Sequence, residues 1–458
     1  MWKIILNPRY LHLVLERKIF DWSFLPVVCW TGVFLSLLRF IFLRYVRRKP
    51  SRSFYPLLGA QSSLLKVPYR EVSASRLKRT IAKAIRRYVS DEGSEYFHLP
   101  EDERVFERDI QYIKKCGGIV LKKPRFTEEK VAEKGALMLN HAMSFQFFCC
   151  GTDVPSVLEH YALILEPGWS GDTDPAVLYF TRFKDHPIIV MTPEKRDYDF
   201  LEVIGTNLIP ISLGPGDWVN PSIFHLLKDQ EKQYDAVMVA SWLKLKRHHV
   251  LFRILRELKD PSFRVALVSI SPDNREEIES LVDVYDVRNN VTFFEQISQE
   301  EVNRILNQSK VNLLLSLQEG GNRALFEGFF AGIPGLALKN IIGIPKDYFT
   351  PQTGKLIKEK DLKSELLYFR EHWTDFNPRA WAEANITPEI TTAKLNELLK
   401  RLAYQRGEEW TQDLVAKSNS PNFVYYPRED VGRGMPTYED ILCQYARSKK
   451  IVDRIRGS

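Results

Sequence analysis

Short aliphatic runs alternate with amphipathic stretches through the middle of the chain. Residues 236–240, 263–270, 291–294, 311–316 and 335–338 are dense in Val, Leu, Ile, Ala and Phe, the composition of strands buried on both faces. Between them, 274–285, 298–307 and 323–331 carry apolar residues at helical spacing, and a further helix begins near His248. Ser298-Gln-Glu-Glu301 is a capping-box pattern, and Gly332 and Pro334 close the helix that starts at Arg323. Such βα alternation predicts a doubly wound parallel sheet, with ligands at the carboxyl ends of its strands. Upstream, 135–139, 160–165, 176–180, 187–191 and 208–212 read as shorter strands of a second α/β region, and the turn-rich stretch 214–221 as a linker. Leu395, Leu398, Leu399 and Leu402 give 391–405 an amphipathic helical face.

At 458 residues, 44% hydrophobic and 27% charged, the chain is long enough for two cores of ordinary globular composition. The expected borders are 1–52, a membrane anchor with a basic flank; 53–125, a basic helical extension; 126–220 and 221–380, two α/β domains; and 381–458, helices returning toward the first domain. Residues 24–38 carry no charge, and Arg39 interrupts an apolar run that resumes to Leu43. Fifteen uncharged residues fall short of the roughly 20 that span a bilayer, but snorkelling by Arg39 extends them. Spanning, lying in the membrane plane, and burial as a core helix all remain open. No cleavage site follows, so the segment reads as an uncleaved anchor. Arg44, Arg47, Arg48, Lys49 and Arg52 place the following side, with the catalytic domains, in the cytosol.

Residues 75–89 form a second basic segment. Leu77, Ile81, Ala84, Ile85 and Tyr88 mark one helical face, and Arg76, Lys78, Arg79, Lys83, Arg86 and Arg87 surround the other. That face suits either an anionic lipid surface or packing on the first domain. The net charge of +7 is concentrated in this N-terminal part, and aromatic-rich RNA-binding signatures are absent, so membrane lipids rather than nucleic acid are the expected partner. Five cysteines, an odd number with no zinc-type spacing, suit a reducing compartment.

The chemistry concentrates at 316–334. Glu319 and Glu327 stand seven residues apart across a strand-to-helix junction, with Gly320-Gly321 between them. Two glycines let the backbone approach a ligand closely, and the amides opening a helix face anything anionic, such as a diphosphate. Carboxylates accept hydrogen bonds from sugar and ribose hydroxyls. A pair of solvated surface glutamates is the plain alternative.

This run resembles the paired-glutamate motif of the retaining glycosyltransferases of family 4, which have the GT-B fold of two Rossmann-like domains facing across a cleft. The resemblance implies that Glu319 faces the donor sugar and Glu327 the ribose, with Gly320, Gly321, Asn322 and Arg323 forming the intervening loop. Thr353-Gly354 resembles the family's following threonine-glycine turn. Residues 235–253 resemble the first strand and loop of its C-terminal domain, where an arginine and a lysine grip the donor diphosphate. Lys246 falls on the lysine and Ser241 on the arginine, a departure that Lys244 or Arg247 could repair as long-reaching cations.

On the acceptor side the candidates are His141 and, in the loop 166–171, Trp169. Asp172-Thr-Asp174 has an Asp-X-Asp form, but a glycine-rich turn accounts for it; neither metal nor cofactor is expected. The implied activity moves a sugar from a nucleotide-sugar to a lipid-linked or surface-polysaccharide acceptor at the membrane. A catalytically inactive GT-B subunit of a polysaccharide-assembly complex, and a nucleotide-sugar epimerase on the same fold, are the alternatives.

Overall fold

Among the described residues α1 (Pro8–Trp22), α2 (Pro26–Ile41), α3 (Pro50–Leu65) and α4 (Val72–Ser90), then the short helix Ile110–Cys116, precede the first strand. The structure, a computed structural model, describes residues 8–67, 72–90, 110–128, 131–168, 174–419 and 422–457. The chain divides into two compact units, each built from two separated stretches. One comprises 29–218 and 388–458, the other 1–28 and 219–387. The crossings fall at Trp218/Val219 and Thr387/Pro388, against the expected 220/221 and 380/381.

The first unit holds a five-stranded sheet of β1 (Gly118–Lys122), β2 (Gly135–Asn140), β3 (Tyr161–Glu166), β4 (Ile188–Met191) and β5 (Leu208–Ile211), in that spatial order. The edge strand β1 runs antiparallel to β2, and the rest are parallel. Because each parallel strand adds beside the last, the order never reverses. Helix α5 (Ala142–Gly151) follows β2 and buries Phe145, Phe147 and Phe148 against one face of the sheet. Pro388–Gln405 contributes Leu395, Leu398 and Leu399 to the cluster on the other face, with Met138, Ile164 and Ile189.

The strand expected at 176–180 is absent. Pro175–Leu178 is a helical turn continued by a 3-10 turn, Tyr179–Arg182. Asp174 caps it, its carboxylate accepting the Ala176 N–H at 2.7 Å, and Pro175 occupies the first helical position. That local start signal outweighs the β-like apolar run.

The helices α2 to α4 join this unit. Ile81, Ile85, Tyr88 and Val89 of α4 are buried in its core, so the apolar stripe at 75–89 is covered by protein, while Arg76, Arg79, Lys83, Arg86 and Arg87 stay exposed. Cys29 and Val33 of α2 reach the same core. A Cβ on Gly32 would lie 3.0 Å from Ser63 Oγ, and small residues of this kind let α2 and α3 approach closely. The remaining surface of α2 exposes Phe34, Leu35, Leu38 and Ile41. With the π-helical turn Phe42–Val46, it makes a 21-residue apolar helix, Pro26–Val46, long enough to cross a membrane and only 11% buried where it is most apolar, whereas a core helix would be mostly covered.

The second unit holds six parallel strands: β6 (Ala236–Val239), β7 (Val265–Ser269), β8 (Val291–Glu295), β9 (Asn312–Leu314), β10 (Gly335–Leu338) and β11 (Gly354–Ile357). Their spatial order is β8-β7-β6-β9-β10-β11, the doubly wound Rossmann arrangement, and it reverses between β6 and β9.

Helix α1 belongs to this second unit, although its sequence lies in the segment read as an anchor. The inward residues recur every fourth position: Leu13 enters the core, Arg17 pairs with Glu277 at 2.7 Å, and Asp21 meets Arg247. On the opposite side Leu11, Leu15, Ile19 and Trp22 are 40–60% exposed, an apolar stripe with no core beneath it.

Candidate functional site

The reversal between β6 and β9 separates the loops leaving those strands, opening the crevice where doubly wound sheets hold ligands. Both glutamate-motif and lysine-motif residues lie on those two loops. After β6 the chain enters a 3-10 turn, Lys244–Lys246, then turns sharply at Arg247 into α6 (His248–Leu258). After β9 it runs through Glu319 and the two glycines into α7 (Arg323–Phe330).

Lys246 and Glu319, 73 residues apart, meet there. The ammonium donates to both carboxylate oxygens, at 2.8 and 2.9 Å, and both side chains are buried. Glu319 is held from behind by an extended contact: its N–H donates to Ile342 O at 2.9 Å, and Ile342 N–H to Leu317 O at 3.0 Å. The next residue, Gly343, has φ +85°, and a Cβ there would collide with the Glu319 carbonyl oxygen. Gly343 is thus a site residue that the motif reading missed; its trace in the sequence is a lone glycine inside the apolar run 341–345.

Gly321 adopts φ +107°, a conformation glycine takes without cost. Asn322, also at positive φ, caps α7 through its side-chain oxygen, which accepts the Leu325 N–H at 3.0 Å. Its side-chain oxygen therefore serves the helix. Arg323 donates to Glu327 at 2.7 Å across one helical turn, and Glu327 is buried. Ser241 is half-buried on the β6 loop, next to Trp242, whose indole N–H donates to Glu295 at 2.5 Å.

Arg247, one of the two cations expected to stand in at Ser241, is engaged by carboxylates. Its buried guanidinium donates to both oxygens of Asp21 at 2.7 and 3.1 Å, to Glu359 at 2.6 Å, and to Leu315 O at 3.2 Å. Two carboxylates thus neutralise it. Burial opposes the charge on Asp21, yet hydrogen bonds from His249 and Arg247 prevail and hold its carboxyl at about 2. Lys244 faces Glu16 of α1 at 3.3 Å. His248 is fully enclosed beside Trp242 and Phe252, and burial drives its imidazole down to about 3, so it is neutral.

In the five-stranded unit a second polar cluster lies at the carboxyl ends of β2 and β3. His141 follows β2 with φ +64° and ψ +146°, rare for a residue with a side chain, and its N–H donates to Glu166 O at 3.0 Å. Burial lowers the His141 pKa against the pull of Glu166. The Glu166 carboxylate receives Lys417 at 3.3 Å, and Lys417 also donates to Asn419 at 2.7 Å and lies over Trp218. Trp169 lies outside the described residues, as do Asp172 and Thr173. Among the described residues no group of three His, Cys, Asp or Glu could hold a metal ion.

Residues 221–368, within the six-stranded unit, match the family model described as Glycosyl transferases group 1. The chain therefore carries a group 1 domain, and that domain is a glycosyltransferase domain. No curated protein matches it. Among solved structures it is similar to sucrose-phosphate synthase from Thermosynechococcus elongatus, at 15% identity over 58% of this chain and 73% of that one, with a TM-score of 0.48. Anabaena HepE with UDP-glucose gives 13%, 58%, 78% and 0.46. The pneumococcal O-GlcNAc transferase GtfA gives 14%, 56%, 55% and 0.43, so the chain spans about half of GtfA.

Proposed function

We propose that the chain is a retaining glycosyltransferase of family 4, moving a sugar from a nucleotide-sugar to a hydroxyl of a lipid-linked or surface-polysaccharide acceptor at a membrane. The observation that carries this is the buried Lys246–Glu319 pair at the strand-order reversal of a group 1 domain. A buried ion pair seldom stabilises a fold over apolar residues of the same size, so its place in a ligand crevice favours a functional role.

In this reading Lys246 and the Gly320 and Gly321 amides stabilise the departing diphosphate. Glu319, released from Lys246, orients the donor sugar, while Glu327, steadied by Arg323, holds the ribose. The acceptor hydroxyl attacks from the face the diphosphate leaves, the glycosidic bond forming as the sugar–phosphate bond breaks and the hydroxyl proton passing to the departing phosphate oxygen. Catalysis then rests on positioning and charge stabilisation, without a dedicated nucleophile. His141 is the acceptor-side candidate, supported by its unusual backbone. Membrane association is supported by the exposed apolar surface of Pro26–Val46 and by the basic residues beyond it.

The test is incubation of the full chain with labelled UDP-glucose, UDP-N-acetylglucosamine and GDP-mannose, with and without a lipid extract. Transfer with retained anomeric configuration supports the reading. Turnover unchanged in Glu319→Ala and Lys246→Ala would sink it, and release of an altered free nucleotide-sugar would mean an epimerase. A second reading, an inactive subunit that binds a nucleotide-sugar without turning it over, is favoured by one observation: Arg247 is neutralised, so the serine at 241 is uncompensated by it. Donor binding without transfer or hydrolysis would establish that alternative.

A further inference from the structure

Lys246 can serve a diphosphate only if the short turn that carries it is aimed and held. The residue that ends this turn, Arg247, sits in the left-handed region at φ +60° and ψ +39°. For a residue with a side chain that conformation is strained and persists only where the surroundings over-determine it. Here the surroundings are the partners of its own guanidinium. Leu315 O belongs to the chain leaving β9, and Glu359 to the turn after β11. Asp21 comes from α1, 226 residues earlier, and supplies the bidentate contact. Asp21 also accepts from His249 at 3.0 Å on the first turn of α6, if that ring nitrogen carries the proton.

Helix α1 holds the same turn at a second point, Glu16 with Lys244, and is fixed to the helix Arg275–Tyr285 by Arg17 with Glu277. A half-buried carboxylate of α1 thus reaches the residue that ends the turn carrying Lys246. The geometry points to Asp21 as a positioning residue for the donor site, acting through Arg247 to aim Lys246 at the diphosphate. This rests on the reading of Lys246 as the diphosphate ligand.

The full chain in detergent is titrated with UDP, GDP and ADP, and with the three bare nucleosides, by calorimetry. Asp21→Ala is expected to weaken the preferred diphosphate roughly tenfold, the loss typical of a hydrogen bond to a charged group. Its nucleoside, which needs no Lys246, should shift less than about twofold by the same reasoning. Asp21→Glu should recover most of the affinity. Arg247→Ala should match Asp21→Ala, and the double variant should lose no more than either, because the two act in series.

Equal losses for diphosphate and nucleoside would mean a merely structural role and overturn the assignment, as would wild-type affinity in Asp21→Ala. Should Asp21→Ala fail to fold, Asp21→Asn, which keeps one acceptor for Arg247, carries the same comparison. A wild-type chain that binds none of the three diphosphates would take down the donor reading and this assignment together.

Discussion

Replacing Glu319 with leucine leaves the Lys246 ammonium buried with its carboxylate partner gone. The side chains are only 11% and 3% exposed, and two contacts of 2.8 and 2.9 Å join them. At an effective dielectric near 20 the attraction is about 6 kcal/mol, and removing each ion from water costs several kcal/mol, so the intact pair nets close to zero. Deleting one partner keeps the desolvation cost of the other and should destabilise by about 3 kcal/mol. For a unit of roughly 200 residues that lowers the midpoint by about 6–12 °C. Lys246→Met should do the same. The double variant, apolar on both sides and similar in volume, should return to within about 1 kcal/mol of the wild type. Differential scanning calorimetry of the four proteins closes the cycle, and donor titration should find all three variants deficient, including the stable one. If the two single losses simply add in the double variant, the residues are not paired as described and the argument from desolvation fails.

Gly343→Ala should cost at least about 2 kcal/mol and abolish donor binding, since the new methyl meets the Glu319 carbonyl at a positive φ; thermal unfolding with and without donor checks this, and a wild-type response refutes it. His248 has a folded pKa depressed to about 3 against about 6.5 unfolded, so its contribution is complete above pH 6.5 and is lost as pH falls below it. Between pH 6.5 and 5 that is about 2 kcal/mol, and urea unfolding of His248→Phe should show a shallower acid slope; an identical slope would rule His248 out as the source. Replacing Arg76, Arg79 and Lys83 by serine should weaken binding to anionic vesicles by about 1 kcal/mol per residue at low salt and leave neutral vesicles unaffected, read by co-sedimentation. Equal loss on both vesicle types would contradict an electrostatic contact.

The six-stranded unit was legible because its signals are local. Aliphatic runs, the Ser298 cap, which accepts the Glu301 N–H at 3.2 Å, and the Gly332 stop all act within a few residues. Lys246 and Glu319 could each be found from their own runs. That they touch depends on β6 lying beside β9, which no local pattern encodes. The partners of Arg247 were hidden for the same reason: a cation in a basic loop looks available until a carboxylate from α1 arrives. In α4 the apolar face was readable but not what covers it, because a protein core and a lipid surface ask for the same stripe. The turn at 175–182 shows two local signals in conflict, where Asp174 and Pro175 prevailed over an apolar run.

The interleaving of the two units bears on how the protein is made. Asp21 leaves the ribosome 226 residues before Arg247, and Arg17 260 residues before Glu277. At about 5–20 residues per second, Asp21 waits roughly 11–45 s for its partner. The five-stranded unit, for its part, lacks Leu395, Leu398 and Leu399 until the chain has reached residue 399. Neither core can close during the first half of synthesis, and a cut at Trp218/Val219 yields two fragments that each lack part of their own unit. Through that interval the chain depends on whatever shields its nascent apolar surfaces, which makes the order of translation part of its folding problem.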